Sequence, residues 1–229
     1  KWKKNNLGKG WVIGETLITG IGQGYTQTTP LQLCLMVAQI ANGGHKIYPK
    51  IIVDKNDDSY EDIQAMMKKN YEINKQLEKG LVEASQEIFS FIKDEKHEAL
   101  YKNYKNIKLI QEAMFSSTNE VRGTSYSSRI DDTKYQFAGK TGTSQVKRIT
   151  AAERELDLKT SEIPYIERDH ALFIAFGPYK KPRYSLSIVV EHGGSGSSAA
   201  APIAKKLFKL IVDRHEHREK VRTQKSLET

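Results

Sequence analysis

The spacing of apolar residues divides the chain into helical and extended stretches. Leu31, Cys34, Leu35 and Ala38 fall on one helical face, and Leu33, Met36, Val37 and Ile40 cover much of the rest, which predicts a buried helix. Its start is written in Thr29-Pro30-Leu31-Gln32: Thr29 is suited to the N-cap, Pro30 to the first helical position, and Gln32 to reaching back. Asn42-Gly43-Gly44 ends it. Upstream, residues 1–19 read as polar and irregular, with Trp2 and Trp11 as packing anchors. Gly20-Ile21-Gly22-Gln23-Gly24-Tyr25 reads as a tight loop feeding the helix. It is not the dinucleotide fingerprint, which needs a glycine in place of Tyr25 and a strand before it.

Past the helix, His45 to Val53 reads as a strand-like return with His45 on the surface. Residues 54–108 are rich in Lys and Glu, and the narrow stripe of Ile73, Leu77, Leu81, Ile88, Phe89 and Ile92 predicts solvated helices of a peripheral subdomain. A further helix is predicted from Ile107 to Phe115, with a turn through Asn119 to Thr124. In the last part of the chain the pattern becomes extended. Tyr135 to Val146 has strand composition, Ala171 to Gly177 is a continuous apolar run, and Tyr184 to Glu191 alternates. Pro178 to Pro182 forms a turn, and connections this short imply antiparallel pairing. Residues 146–169 read as a charged loop or short helix, and His192 to Gly196 as a flexible junction. A last helix, Ala199 to Val212, is expected to lay Ile203, Leu207, Leu210 and Ile211 on the sheet, before a charged, frayed tail. The fold class is therefore α+β: a three-stranded antiparallel sheet covered by a C-terminal helix, plus an α-helical lobe. The expected divisions are a helical lobe at 20–125, sheet and covering helix at 133–213, and a charged tail at 214–229.

Composition changes this picture little. The 229 residues, 38% hydrophobic and 28% charged, suit a globular chain with a polar surface. A net charge of +8 would allow an anionic partner, yet 36 basic residues are interspersed with 28 acidic ones. No Arg-rich stripe with interleaved aromatics is present, so nucleic acid is not an expected partner. Cys34, among Leu33, Leu35 and Met36, reads as a small buried hydrophobe, and no metal site or cofactor is expected. No apolar run is long enough to span a membrane and no signal peptide is visible. The chain begins at Lys1 without a methionine and reads as a piece of a longer polypeptide.

The candidate chemistry lies at Lys140-Thr141-Gly142-Thr143, inside the first predicted strand. Lys140 offers a point charge, the hydroxyls of Thr141 and Thr143 can donate to a carboxylate, and Gly139 and Gly142 leave room for close approach to the backbone. At a sheet edge such a strand could accept an extended peptide by strand addition. Taken alone, the same residues fit an ordinary exposed strand.

Their company decides between the two. Trp11 to Leu17, then Gly22-Gln23-Gly24-Tyr25 with Thr29-Pro30-Leu31-Gln32, then Met114 to Gly123-Thr124, then Ala138 to Gln145, and finally Phe173 to Tyr179 with Glu191 to Gly196 occur in one order. In that order they resemble the C-terminal part of the transpeptidase domain of class B penicillin-binding proteins, closest to the elongation-type penicillin-binding protein 2 group. The resemblance leaves out the helical stretch around 54–105, which is longer than usual, and the tail. That family builds its site from S-x-x-K, which carries the acylated serine, S-x-N, and K-T-G. Only K-T-G stands in its family place here. Ser90-Phe91-Ile92-Lys93 and Ser117-Thr118-Asn119 match the other two patterns but lie downstream of the Gly-Gln-Gly block, where the family has them upstream, so neither is expected to be catalytic.

The resemblance implies a D,D-transpeptidase parent that cross-links peptidoglycan stem peptides ending in D-Ala-D-Ala through an acyl-serine, with β-lactams as mimics of the donor. It implies that Lys140 holds the positive potential, that Thr141 and Thr143 hold the terminal carboxylate, that the Thr143 N–H is half of the oxyanion hole, and that Gly142 keeps the strand open. No nucleophile is expected in this chain, which alone should be inactive. Elongation-machinery membrane proteins are the implied partners, and the implied location is the periplasmic side of a bacterial inner membrane. A serine β-lactamase or β-lactam sensor, and a non-catalytic scaffold binding cell-wall peptides, are the alternatives. A further expectation is that Phe173, Phe176, Ile188 and Val190 are left uncovered in a marginally stable chain.

Overall fold

A computed structural model describes residues 1–49, 98–147, 155 and 158–227. Of the helical stretch expected over 54–108, residues 54–97, with the Ser90–Lys93 run among them, lie outside the described residues. The elements in chain order are α1 (Trp2–Leu7), α2 (Ile13–Gly20), α3 (Pro30–Ala41), α4 (Tyr104–Asn119), β1 (Ala138–Ser144), β2 (His170–Gly177), β3 (Tyr184–Val190) and α5 (Ala201–Leu227). Short 3-10 turns at Tyr126–Ser128 and Tyr165–Glu167 and a π turn at Gly196–Ala200 join them.

The strands form one antiparallel sheet in the order β1-β2-β3. Lys140 stands opposite Ile174, Thr141 opposite Phe173 and Thr143 opposite Ala171, while Phe173 faces Ile188 on the other side. The apolar run of β2 is explained by its central place, covered on both faces. On one face Phe137, Ala171, Phe173 and Ala175 pack against Ala200, Ala201, Ala204 and Phe208. Phe137 stacks on Phe208 with centroids 4.9 Å apart and meets Phe173 edge-on at 6.2 Å. On the other face, Val37 of α3 and Met114 of α4 close over Ala138 and Phe176. Gly139 sits where a Cβ would come within 2.3 Å of the Phe173 ring, so its missing side chain is what lets the ring lie against β1.

The capping box of α3 is formed as expected. The Gln32 N–H donates to Thr29 Oγ1 at 3.2 Å and the Thr29 N–H donates to Gln32 Oε1 at 2.8 Å. The helix is nevertheless only half covered: it rests on β2, β3 and α4, Val37 is buried, and Leu31 stays 64% exposed. An apolar surface all round therefore marks a helix with one uncovered side in this chain. Cys34 is half-buried, its Sγ 3.3 Å from Ser185 Oγ of β3.

Other expectations are corrected. Residues 1–19 are not irregular but hold α1 and α2, short helices joined by the Lys3 ammonium, which donates to the Glu15 carboxylate and to the Gly10 carbonyl at 2.8 Å. The bond to Lys3, and after it the Val12 N–H, holds the Glu15 carboxyl below the usual carboxylate value. Trp2 and Trp11 are more than half exposed, so neither is a core anchor. His45 is buried, not on the surface, because the Asn42 side chain bonds both its N–H and its carbonyl. Phe173 and Phe176 are fully covered, contrary to expectation, since α5, α3 and α4 supply both layers within this chain. Uncovered apolar residues occur elsewhere, among them Ile13 at 84% and Leu17 at 71% on α2.

The face that α5 buries also differs from the expected one. Ala201, Ala204, Phe208 and Val212 point to the sheet, while Ile203 is half-exposed and Leu210 is 62% exposed. Alanines let the helix approach closely enough for Phe208 to reach Phe137, an advantage that bulk hydrophobicity does not reveal. The helix continues to Leu227 through residues expected to fray.

Candidate functional site

Among the described residues β1 occupies one edge of the sheet, and its outer side is divided in two. Along the first half the outward carbonyls are taken. Asn119 Nδ2 donates to the Phe137 carbonyl at 2.9 Å and also to Phe115 at 3.0 Å, and Thr118 Oγ1 lies 3.5 Å from the Gly139 carbonyl. Asn119 and Thr118, the end of the rejected S-x-N match, are thus pins between α4 and the strand. Burial along β1 follows: Ala138 and Gly139 are buried, Lys140 is exposed, Thr141 and Gly142 are half-buried, and Thr143 and Ser144 are exposed.

Alternate residues of a strand send their N–H and C=O to the same side. Because the carbonyls of Phe137 and Gly139 point outward, those of Thr141 and Thr143 do as well, together with their N–H groups. Lys140 agrees, its Nζ donating to the Thr141 carbonyl at 2.8 Å from outside the sheet. Gly142 pairs inward with Leu172, whose Cβ would stand 3.3 Å from any added Cβ. Lys140, Thr141, Gly142 and Thr143 are therefore brought together along the open half of the edge. One ammonium, two hydroxyls and outward N–H groups can there receive an anion or the backbone of an extended peptide.

Both ends of this strand are fixed. Before it, the Tyr135 hydroxyl donates to the Asp213 carboxylate of α5, while Lys134 Nζ reaches Asp213 at 3.3 Å and Glu216 at 2.8 Å. The Tyr135 bond foremost, with help from Lys134, keeps the Asp213 carboxyl below its ordinary value. After it, the Val146 N–H donates to Asp169 Oδ1 at 3.2 Å, the Gly194 N–H to the Asp169 carbonyl at 2.8 Å, and the His192 N–H to His170 Nδ1 at 3.0 Å. This knot joins the ends of β1, β2 and β3.

Sequence reasoning missed one neighbour of the site. Thr124, in the turn after α4, brings its Oγ1 to 3.3 Å from Thr141 Oγ1. The Gly123-Thr124 pair was visible as part of a family block, but nothing in its spacing to Lys140 indicated contact. Among the described residues, no group of three or more His, Cys, Asp or Glu side chains is placed to hold a metal ion.

Comparison with known proteins fits this geometry. The chain is 27% identical over 212 residues to the peptidoglycan D,D-transpeptidase MrdA of Salmonella typhimurium (strain SL1344), covering 93% of this chain but 29% of that relative. Its structure is similar to that of PBP2 in a complex of PBP2 and MreC from Helicobacter pylori, with a TM-score of 0.61 and 27% identity over 91% of this chain and 30% of the other. It is also similar to Pseudomonas aeruginosa PBP2 in complex with WCK 5153, with a TM-score of 0.54 and 28% identity over 89% and 34% of the two chains. Residues 3–209 match the family described as the penicillin binding protein transpeptidase domain. The chain spans less than a third of the length of the MrdA relative it matches, and it belongs to the penicillin-binding protein transpeptidase domain family, with its relatives in the class B, PBP2-like group.

Proposed function

We propose that this chain carries the carboxylate-binding strand of a peptidoglycan D,D-transpeptidase whose reactive serine lies on other polypeptide. The observation that supports this reading most is the open half of the β1 edge, where Lys140, Thr141 and Thr143 stand beside outward backbone groups. A stem peptide ending in D-Ala-D-Ala, or a β-lactam mimicking it, would lie along this edge. Lys140 would supply positive potential and bond the serine of an S-x-N motif. Thr141 and Thr143 would donate to the terminal carboxylate, and the Thr143 N–H would be one of two donors to the oxyanion. The serine would attack the penultimate D-Ala carbonyl, D-alanine would leave, and an amine of a neighbouring strand would take the acyl group.

In this reading residues 1–213 form the C-terminal portion of the domain, and 214–229 a charged extension. The parent would act on the periplasmic side of a bacterial inner membrane. Among the described residues no helix is long and apolar enough to cross one. Elongation-machinery membrane proteins would be its partners, a proposal supported by the similarity to a PBP2 solved with MreC.

The test is covalent labelling. Incubated with a fluorescent penicillin and run on a denaturing gel, the isolated chain should stay dark. A stable adduct mapped to Ser90 would contradict the assignment of the nucleophile to another polypeptide.

A further inference from the structure

We propose that Thr124 is a positioning residue for the bound carboxylate: held between Ser117 and Thr141, its hydroxyl directs the Thr141 O–H outward to the anion. The inference rests on the carboxylate reading of β1 above.

The turn that carries Thr124 is built to bring it there. A Cβ on Gly123 would lie 2.4 Å from the Ser117 carbonyl oxygen and 2.5 Å from that of Ser116, so only a bare glycine allows the turn to press against the end of α4. The Gly123 N–H donates to the Glu120 carbonyl at 2.8 Å. One residue beyond Thr124, both the N–H and the hydroxyl of Ser125 donate to the Ser117 carbonyl at 3.0 Å. Pinned on both sides, Thr124 places its Oγ1 3.2 Å from Ser117 Oγ and 3.3 Å from Thr141 Oγ1.

Proton counting gives this row a direction. A hydroxyl has one proton to donate and can accept two, whereas a lysine ammonium only donates. Lys140 Nζ stands 3.5 Å from Thr141 Oγ1, so the Thr141 oxygen has donors on two sides when Thr124 also donates to it. The Thr141 proton is then left to point elsewhere, along the open edge. A carboxylate can only accept, so its arrival favours the order Ser117 to Thr124 to Thr141 to carboxylate, and each bond polarises the next. A ligand ending in an amide gains less, because its NH₂ group competes as a donor for the same oxygens.

The test compares two peptides on the whole chain by following the Thr141 and Thr143 amide resonances: N-acetyl-Lys-D-Ala-D-Ala with a free carboxylate, and the same peptide with a C-terminal amide. The wild-type chain should prefer the carboxylate. Thr124→Val, which keeps the side chain's shape and removes the hydroxyl, should lower that preference about fivefold, weakening the carboxylate peptide more than the amide peptide. Thr124→Ser should retain the preference. Full preference in Thr124→Val, or equal weakening for both peptides, would overturn the inference and leave the carboxylate reading standing. A wild-type chain with no preference would overturn both.

Discussion

Phe208→Ala should remove most of the protein's stability at 25 °C. The side chain is fully buried, stacked on Phe137, which in turn meets Phe173 edge-on across the sheet. Truncating a buried phenylalanine costs about 3–5 kcal/mol, because the packing is lost and the surroundings close only partly over the space. Here collapse is limited, since the neighbours on α5 are alanines with nothing to move into the gap. A domain's total stability is roughly 5–15 kcal/mol. The apolar area left open on α2 and α3 places this chain towards the lower end. Leu210→Ala, two residues along and 62% exposed, should cost less than about 0.5 kcal/mol. Urea denaturation of the three proteins checks the pair. Similar costs for both substitutions would mean that α5 does not present its alanine face to the sheet.

Lys140→Ala should slow acylation by a fluorescent penicillin about 100-fold in a longer polypeptide that joins this chain to an S-x-x-K serine. The ammonium is the one cation on the open part of the strand, and it already sits at the backbone edge, 2.8 Å from the Thr141 carbonyl. Charge-assisted bonds of this kind are about twice as strong as neutral ones, and the electrostatic benefit grows as the groove closes on a ligand. Lys140→Arg should recover only part of the rate, because a planar fork cannot replace a compact point charge. Labelling time courses give the rate directly. A loss of less than about threefold would remove Lys140 from the site.

Local chemistry made some of this structure legible in advance. The α3 capping box needs only the residues from Thr29 to Gln32, and both of its bonds form. The strands followed from composition and the antiparallel β2–β3 pairing from the short turn between them, whereas the β1–β2 pairing, across residues 145–169, did not; the Lys140–Thr143 run fell on the edge strand. What depended on distant partners was not legible. α1 and α2 are only six and eight residues long and are held by the Lys3–Glu15 pair, which no periodicity reveals. The buried face of α5 was misread because alanines were outranked by leucine and isoleucine, although close approach to the sheet favours the smaller residues. His45 was assigned to the surface because the Asn42 bonds that satisfy it run through a turn. Thr124 escaped notice because the glycine before it acts through sterics against the α4 backbone.

The central claim, that the outer edge of β1 from Lys140 to Thr143 receives a peptide carboxylate, is tested most directly by titrating isotope-labelled protein with a D-Ala-D-Ala peptide. The amides of Thr141 and Thr143, which point outward, should shift together in a dose-dependent way, while those of Gly139 and Phe173 stay in place. Shifts confined to other surfaces, or none at millimolar peptide, would contradict it.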